Sequence, residues 1–283
     1  MTVLENAFEA AKARRARVVF PEMEDARVAE ATQRLRADGL CDPLPLAEPS
    51  EAHVEALVAA RGLKEVIAKR MVSKPLYRAA AMVALGEADA MVAGADVPTR
   101  RVIEAASIGI GLADGVSLPS SFFLMVFPNR RELVFADCAV NVAPDAAQLA
   151  DIARASAASA KALLGTARVA MLSFSTGTSG DGDSVARVRE AAELAGFAGP
   201  VQADAALNGA IAAKKGIEAL DANVLIFPSL DAGNIGYKLC QELAGAQALG
   251  PFLQGFARPV CDLSRGASVD DIVAATVLTA AQV

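Results

Sequence analysis

Three polar segments of this sequence combine hydroxyl groups, glycines and charged side chains in a pattern that suits the binding of a phosphate group. They are SFSTGTSG at residues 173–180, FPSLDAGNIGYK at 227–238 and DLSRGASVDDI at 262–272. Each includes or follows an apolar run typical of a strand, and open α/β sheets bind ligands at the carboxyl ends of their strands. Glycine amides and helix N-termini both favour negative charge. The three segments therefore predict an anion-binding function.

The first segment supplies hydroxyl groups beside a flexible backbone. Ser175, Thr176 and Gly177 could donate hydrogen bonds to a phosphate just before a helix begins. The alternative is a flexible polar loop whose Ser184 caps the following helix. Short motifs of this kind are weakly specific, so both interpretations stay open.

The second segment places polar and basic groups at a predicted turn from strand to helix. Asn234 can donate or accept a hydrogen bond, Gly236 lets the backbone approach another group closely, and Lys238 adds a positive charge one turn into the helix. The alternative is a strand–turn–helix joint whose glycines serve packing.

The third segment has the strongest structural alternative. Ser268 and Asp271 form an S-x-x-D pattern, which predicts a capping box at the start of the last helix. The preceding Ser264, Arg265 and Gly266 have no such local explanation. An arginine beside a glycine just before a helix is a suitable clamp for an anion, because its guanidinium can form paired hydrogen bonds.

Other catalytic and cofactor motifs are missing from the sequence. Residues 109–115 (GIGLADG) do not have the G-x-G-x-x-G spacing of dinucleotide-binding loops, and neither a P-loop nor a G-x-S-x-G elbow occurs. His53 is the single histidine, which argues against a Ser-His-Asp triad and against a zinc site. We expect no metal centre.

Composition and charge exclude two classes of partner. The 283 residues are 54% hydrophobic and carry a net charge of −6 with no run of basic residues, so a nucleic-acid surface is not expected. No apolar run reaches the roughly 18–20 residues that span a bilayer, and the N-terminus lacks the pattern of a secretory signal. Four widely spaced cysteines are typical of reduced thiols in a cytoplasmic protein.

Strand-like and helical runs alternate along the chain, which predicts an α/β fold with a mainly parallel sheet. A helix capped by Asp25, a single helix over residues 51–70 and a long helix from Pro144 to Leu164 are expected. Residues 120–127 and 132–140 flank the turn PNRR and predict a β-hairpin. Further strands are expected at residues 17–21, 90–93, 168–174, 200–206 and 222–229.

Taken together and in order, these segments resemble the phosphate acetyl/butyryltransferase family. The matching pieces are VVFPEMEDARVAEA, ADAMVAGA, SSFFLMVF, ELVFADCAVN, PDAAQLADIA, LSFST, QADAA, AAKK, FPSLDAGNIGYK, GPFLQG and PVCDLSRGASVDDI. They cover nearly the whole chain, and FPSLDAGNIGYK and DLSRGAS are the most specific of them.

The resemblance implies two α/β domains with a cleft between them, an architecture similar to that of isocitrate dehydrogenase-like enzymes. The first domain would comprise residues 1–118 plus 251–283, and the second residues 119–250. It also implies a homodimer that uses no metal or bound cofactor. Coenzyme A and acetyl-CoA, with phosphate and acetyl phosphate, would be its substrates and products.

The mechanism implied by the resemblance is direct transfer of an acetyl group in a ternary complex. Asp271 would take the proton from the CoA thiol, Arg265 would hold the phosphoryl oxygens, and Ser264 would bind the tetrahedral centre or the leaving phosphate. A free carboxylate and a free thiol differ by about 4.5 pKa units, or about 6 kcal/mol against proton transfer. The site must therefore stabilise the thiolate electrostatically.

The resemblance also implies a wider set of substrate-binding residues, and two positions depart from it. The set comprises Ser175, Thr176, Gly177, Asn234, Gly236, Lys238, Arg100 and Arg101. Relatives tend to carry arginines associated with CoA where this sequence has Glu104 and Glu242, although Arg100, Arg101 or Lys238 could compensate. Two alternatives follow: a propionyl- or butyryl-transferring enzyme, or a non-catalytic relative with weakened CoA binding.

Overall fold

A computed structural model of the chain describes residues 3–283. Its strands are β1 Arg17–Val19, β2 Asp42–Leu44, β3 Ala90–Ala93, β4 Ser120–Val126, β5 Glu132–Ala136, β6 Val169–Leu172, β7 Ala198–Val201, β8 Val224–Ile226, β9 Gln247–Gln254 and β10 Val260–Asp262. Its helices are α1 Val3–Arg14, α2 Ala26–Ala37, α3 Glu51–Arg61, α4 Glu65–Val72, α5 Pro75–Ala84, α6 Thr99–Gly109, α7 Ala146–Leu164, α8 Asp183–Ala195, α9 Ala203–Leu207, α10 Gly209–Lys214, α11 Leu230–Ala244 and α12 Val269–Ala280.

The chain forms two compact units, Met1–Gly115 with Gly250–Val283, and Val116–Leu249. Each unit combines a sheet that is mainly parallel with packed helices, so the predicted α/β class is confirmed. Among residues 3–283, no helix is both long and apolar enough to cross a bilayer.

The sheet of the first unit brings the ends of three parallel strands to one edge. Its strands lie in the order β2, β1, β3, β10, all parallel, and the part of β9 from residue 250 onward runs antiparallel to β10. All four residues of β3 are buried, as expected for a strand covered on both faces. The carboxyl ends of β1, β3 and β10 therefore face the same side, and α12 packs against α1 and α2.

The second unit contains the predicted hairpin. β4 and β5 pair antiparallel from Phe122↔Ala136 to Val126↔Glu132, and the order continues through the parallel strands β8, β6 and β7. The ring of Phe123 stacks on Tyr237 of α11 with 4.2 Å between centroids.

Local sequence determines several helix ends. Asp25 caps α2 by accepting a hydrogen bond from the backbone N–H of Arg27, as predicted. The long helix begins at Ala146 after the capping residue Asp145, close to the expected start. His53 belongs to a capping box with Ser50, and its Nε2 lies 3.0 Å from Oε2 of Glu87. The single histidine is thus buried and used for structure.

Two predicted elements and one alternative about local structure were wrong, and one strand was not predicted. The strand predicted over residues 200–206 ends at Val201 in β7, and Ala203–Leu207 form the short helix α9. The helix predicted over residues 51–70 is divided into α3 and α4, because Gly62 adopts a left-handed conformation with φ of 61° and ends α3. Ser184 lies inside α8, whose capping position is Gly182. β2 was not predicted because it contains Pro43, which is tolerated here since the strand pairs only with β1 at the sheet edge.

Gly94 is a position where the first unit leaves no room for a side chain. It has a φ of +107°, and a Cβ built there would lie 2.7 Å from the backbone nitrogen of Leu263 and against the carboxylate of Asp262. We expect Gly94→Ala to lower the free energy of unfolding by on the order of 3 kcal/mol, from backbone strain and overpacking together. Urea unfolding followed by circular dichroism measures this.

Gly62→Ala is the matched control. Gly62 also has a positive φ, but a Cβ added there would meet nothing within 4 Å, so only the strain of about 1 kcal/mol should appear. Equal losses in the two variants would contradict the close approach at Gly94.

Candidate active site

The third polar segment forms the loop between β10 and α12 in the first unit. The backbone N–H of Leu263 donates to the carbonyl of Ala93 at 2.6 Å, which fixes the start of the loop to the end of β3. Farther along, the N–H of Ala267 donates to the carbonyl of Ser264 at 2.9 Å and closes a turn. Ser264 and Arg265 lie in this turn with exposed side chains.

Asp271 takes part in the predicted capping box and keeps one carboxylate oxygen available. Its Oδ2 accepts hydrogen bonds from the backbone N–H and the hydroxyl of Ser268, at 2.9 and 2.7 Å. Its backbone N–H donates to the Ser268 hydroxyl oxygen at 3.2 Å. Oδ1 has no hydrogen bond to any residue that the structure describes. Asp271 is exposed, and the capping box does not use this oxygen.

Arg265 has an exposed guanidinium that forms no ion pair or hydrogen bond within residues 3–283. Its backbone carbonyl, in contrast, accepts a hydrogen bond from Nη1 of Arg27 at 2.7 Å. The loop is thus held by its backbone, and the positive charge of Arg265 remains available for an anion.

A buried acid that the sequence interpretation missed lies at the end of β10. Asp262 is 2% exposed; the hydroxyl of Thr99 donates to its Oδ2 at 2.5 Å, and its buried Oδ1 has no partner in the described part of the chain. Burial raises the pKa of Asp262 to about 7; the Thr99 hydrogen bond acts in the opposite direction, and the charge of Glu22 adds to the increase. An ionisable residue directly after the apolar Val260 and Cys261 was the available signal.

The turn after β3 binds the carboxylate of Glu22 through its backbone N–H groups. The backbone N–H groups of Gly94, Ala95 and Asp96 donate to this carboxylate at 2.7, 2.9 and 2.9 Å. Successive N–H groups of this kind form an anion-binding concavity. Here the chain's own carboxylate occupies it, so this turn is stabilised internally.

Arg100 and Arg101 lie in the first turn of α6, and both are exposed. Nη1 of Arg101 lies 3.5 Å from Oε2 of Glu104, with both side chains nearly half exposed, so the pair is weak. A cavity of about 910 Å³ in the same unit is lined by Arg101 together with Lys74, Tyr77 and Arg78. Arg101 therefore borders a space large enough for part of a substrate.

The hydroxyl groups of the first polar segment are used within the second unit itself. Ser175 and Thr176 are buried. The N–H of Gly180 donates to Oγ of Ser175 at 2.8 Å, and Thr176 exchanges hydrogen bonds with Gln202 at 3.2 and 3.1 Å. Gly177 has a φ of +58°, and its N–H donates to the carbonyl of Pro200. These contacts fix the shape of the loop.

The second polar segment begins α11, and its glycines serve packing. A Cβ at Gly233 would meet the backbone of Asp137 and lie 3.0 Å from Sγ of Cys138, while one at Gly236 would lie 3.1 Å from the ring of Phe227. Asn234 donates from Nδ2 to the carbonyl of Cys138 at 3.1 Å.

Lys238 is exposed, and its ammonium lies 6.0 Å from the centre of the Tyr237 ring. It forms no ion pair with the residues that the structure describes. Among these residues there is also no group of three or more His, Cys, Asp or Glu side chains that could hold a metal ion.

The chain matches a family model described as phosphate acetyl/butaryl transferase over residues 2–59 and 50–280. It is 43% identical to a phosphate acetyltransferase from Paracoccus denitrificans, over 100% of this chain and 99% of that protein. It is 37% identical to one from Acetivibrio thermocellus, over 100% of this chain and 98% of that protein. These matches confirm the resemblance drawn from the motifs.

Two solved structures of phosphotransacetylases are similar to this chain over nearly its whole length. The EutD phosphotransacetylase from Staphylococcus aureus is 35% identical with a TM-score of 0.90, over 99% of this chain and 98% of that one. A phosphotransacetylase from Streptococcus pyogenes is 36% identical with a TM-score of 0.92, over 99% of this chain and 97% of that one.

The raised pKa of Asp262 makes stability depend on pH. Its pKa in the folded chain, about 7, exceeds the ordinary value near 4 expected after unfolding. The stabilisation by protonated Asp262 is therefore fully present below about pH 4 and is lost as the pH rises towards 7. We expect the free energy of unfolding of the wild type, relative to Asp262→Asn, to fall by on the order of 3 kcal/mol between pH 4 and 7.

Urea titrations of both proteins at several pH values measure this difference. Thr99→Val is the matched variant: it removes the hydrogen bond that opposes the increase in pKa, so the decline should extend to higher pH. A difference between wild type and Asp262→Asn that stays constant from pH 4 to 8 would show that Asp262 does not titrate in this way.

Proposed function

We propose a catalytic mechanism from the premise that this chain belongs to the phosphate acetyl/butaryl transferase family. It is an acyltransferase with phosphate acetyltransferase activity. The reaction interconverts acetyl-CoA and phosphate with acetyl phosphate and CoA. In the proposed mechanism both substrates are bound together and the acetyl group passes directly between them.

Asp271 is the proposed base for the CoA thiol. The supporting observation is that the capping box uses only Oδ2, so Oδ1 can accept the proton without loss of the helix start. The two hydrogen bonds from Ser268 also hold the carboxylate in one orientation, which a general base requires. The thiolate then attacks the acetyl carbonyl, and the bond from the carbonyl carbon to the phosphate oxygen breaks.

Arg265 is the proposed ligand of the phosphate group. Its guanidinium has no partner within residues 3–283, while its backbone is fixed, so binding an anion would not require breaking an internal ion pair. A charged hydrogen bond of this kind contributes about 1.5–3 kcal/mol. Ser264, exposed in the same turn, would bind the developing oxyanion or the leaving phosphate.

The other residues proposed to contact the substrates fall into two groups, exposed cations and residues that shape their loops. Lys238, Arg100 and Arg101 are exposed cations suited to the phosphates of CoA. The weak pair with Glu104 leaves Arg101 available. Ser175, Thr176, Gly177, Asn234 and Gly236 would contribute chiefly by shaping their loops, since their polar groups already have internal partners or serve packing.

The decisive experiment measures phosphate-dependent release of CoA from acetyl-CoA in wild type, Arg265→Ala and Asp271→Asn. We expect each variant to lose at least about a hundredfold in kcat/KM, the usual scale for removing a general base or a key charged donor. Comparing acetyl-, propionyl- and butyryl-CoA in the same assay establishes the preferred acyl chain, and calorimetry with CoA tests whether Glu104 and Glu242 weaken its binding.

Asp270→Asn and Arg258→Ala are the matched controls. Arg258 is an exposed arginine between β9 and β10, outside the 264–267 loop. Asp270 lies in the same first turn of α12 and is also exposed, but it is paired with Arg34. Its loss therefore removes a similar charge from the helix N-terminus. Both controls should keep near-normal rates. Folded Arg265→Ala and Asp271→Asn proteins with wild-type activity would overturn the proposed roles.

The proposed homodimer is supported by one face of α11. Ile235, Leu239 and Leu243, spaced four residues apart, are 58%, 52% and 81% exposed and form a contiguous apolar stripe. We expect Leu243→Glu to shift sedimentation towards the monomer, whereas Val66→Glu, at a 74% exposed site on α4, should not. An unchanged oligomeric state in the Leu243 variant would show that this stripe is not the dimer interface.

The proposed compartment remains the cytoplasm. All four cysteines are free, and three of them are buried. Burial raises the pKa of Cys41 and Cys261 to about 12, so these thiols are protonated and unreactive at neutral pH.

A further inference from the structure

We propose that Arg27 is the positioning residue of this active site: it holds the 264–267 loop in the conformation that presents Arg265 to the phosphate. The inference rests on the proposed roles of Ser264, Arg265 and Asp271. Arg27 itself lies in the first turn of α2, and its side chain is one third exposed.

The guanidinium of Arg27 binds the backbone of the loop at two points. Nη1 donates to the carbonyl of Arg265 at 2.7 Å and to the carbonyl of Ala267 at 3.0 Å. These carbonyls flank Gly266, and glycine has the widest choice of backbone conformations of any residue. Fixing both of them restricts the backbone between them, and with it the direction in which the Arg265 side chain leaves the loop.

The rest of the same guanidinium is anchored to the rigid part of the unit. Nη2 donates to Oδ2 of Asp25 at 2.7 Å and to the carbonyl of Ala95 at 3.0 Å, and Nε donates to Oδ1 of Asp25 at 3.1 Å. Arg27 in turn lowers the pKa of Asp25, chiefly through this side-chain hydrogen bond. One side chain therefore joins the start of α2, the turn after β3 and the catalytic loop.

Only arginine can make this set of contacts. Its planar group carries five N–H donors in a fixed fork, whereas the lysine ammonium is a compact charge with three donors. A lysine at position 27 would keep the charge and the helix start but could not bind a carboxylate at two points and three carbonyls together. The geometry of the loop, rather than its net charge, is what the substitution would change.

The test compares Arg27→Lys with Arg34→Lys in the assay of acetyl-CoA with phosphate. Arg34 also lies on α2 and reaches the same region, but through an exposed pair with Asp270 at 2.7 Å. We expect Arg27→Lys to lower kcat at least about thirtyfold, since small displacements of catalytic groups are costly. KM for acetyl-CoA should stay within about twofold and the melting temperature close to wild type, while Arg34→Lys keeps normal kinetics.

Rescue supplies a second measurement that a purely structural role would not affect. In Arg27→Ala, added guanidinium ion should restore part of kcat, whereas ethylammonium should not. Wild-type kcat in folded Arg27→Lys would overturn the inference, and so would a loss of rate that follows the melting temperature and raises KM for acetyl-CoA by the same factor. If Arg265→Ala and Asp271→Asn are themselves fully active, the proposed roles of Arg265 and Asp271 are wrong. If they are inactive while Arg27→Lys keeps the wild-type kcat, only the inference about Arg27 is wrong.

Discussion

The close approach of the ends of β3 and β10 is the constraint on which the first unit depends. The N–H of Leu263 donates to the carbonyl of Ala93, and Gly94 leaves no room for a side chain beside Asp262. Because both strands are parallel and adjacent, the chain segments that follow them start from the same point. The position of the loop between β10 and α12 is therefore set by a backbone contact in the buried sheet.

Most polar groups around this contact form hydrogen bonds with other residues of the first unit, and one buried carboxylate oxygen does not. The carboxylate of Glu22 accepts hydrogen bonds from the N–H groups of the turn after β3, and Arg27 donates hydrogen bonds to two carbonyls of the loop between β10 and α12. Asp262 is the exception, since one of its buried oxygens has no partner among the described residues. Its burial favours the protonated form at mildly acidic pH, so the same region that fixes the loop also links stability to pH.

The proposed chemistry makes a different demand, because a carboxylate must take a proton from a thiol that holds it about 6 kcal/mol more tightly in water. A carboxylate that already accepts two hydrogen bonds from Ser268 is well oriented, and orientation contributes to rate even where proton affinity does not. The remaining stabilisation has to come from cations that are not consumed by internal pairs, and Arg265 meets that condition. Arg265 thus provides the unpaired positive charge, while Arg27 holds the backbone of the loop that carries it.

The sequence by itself determined the α/β class, the hairpin at residues 120–140, the caps at Asp25 and Ser268, and the family, because these depend on local periodicity, turn chemistry and motifs. It also led to Ser264, Arg265 and Asp271 as candidates, although their roles remain proposals. Only the tertiary structure decided that α3 and α4 are separate, that Asp262 is buried, and that Arg27 binds the loop between β10 and α12. Arg27 and Arg265 are 238 residues apart in the chain, and a contact across that separation leaves no local pattern, since it arises only when parallel strands bring their ends to one edge of the sheet.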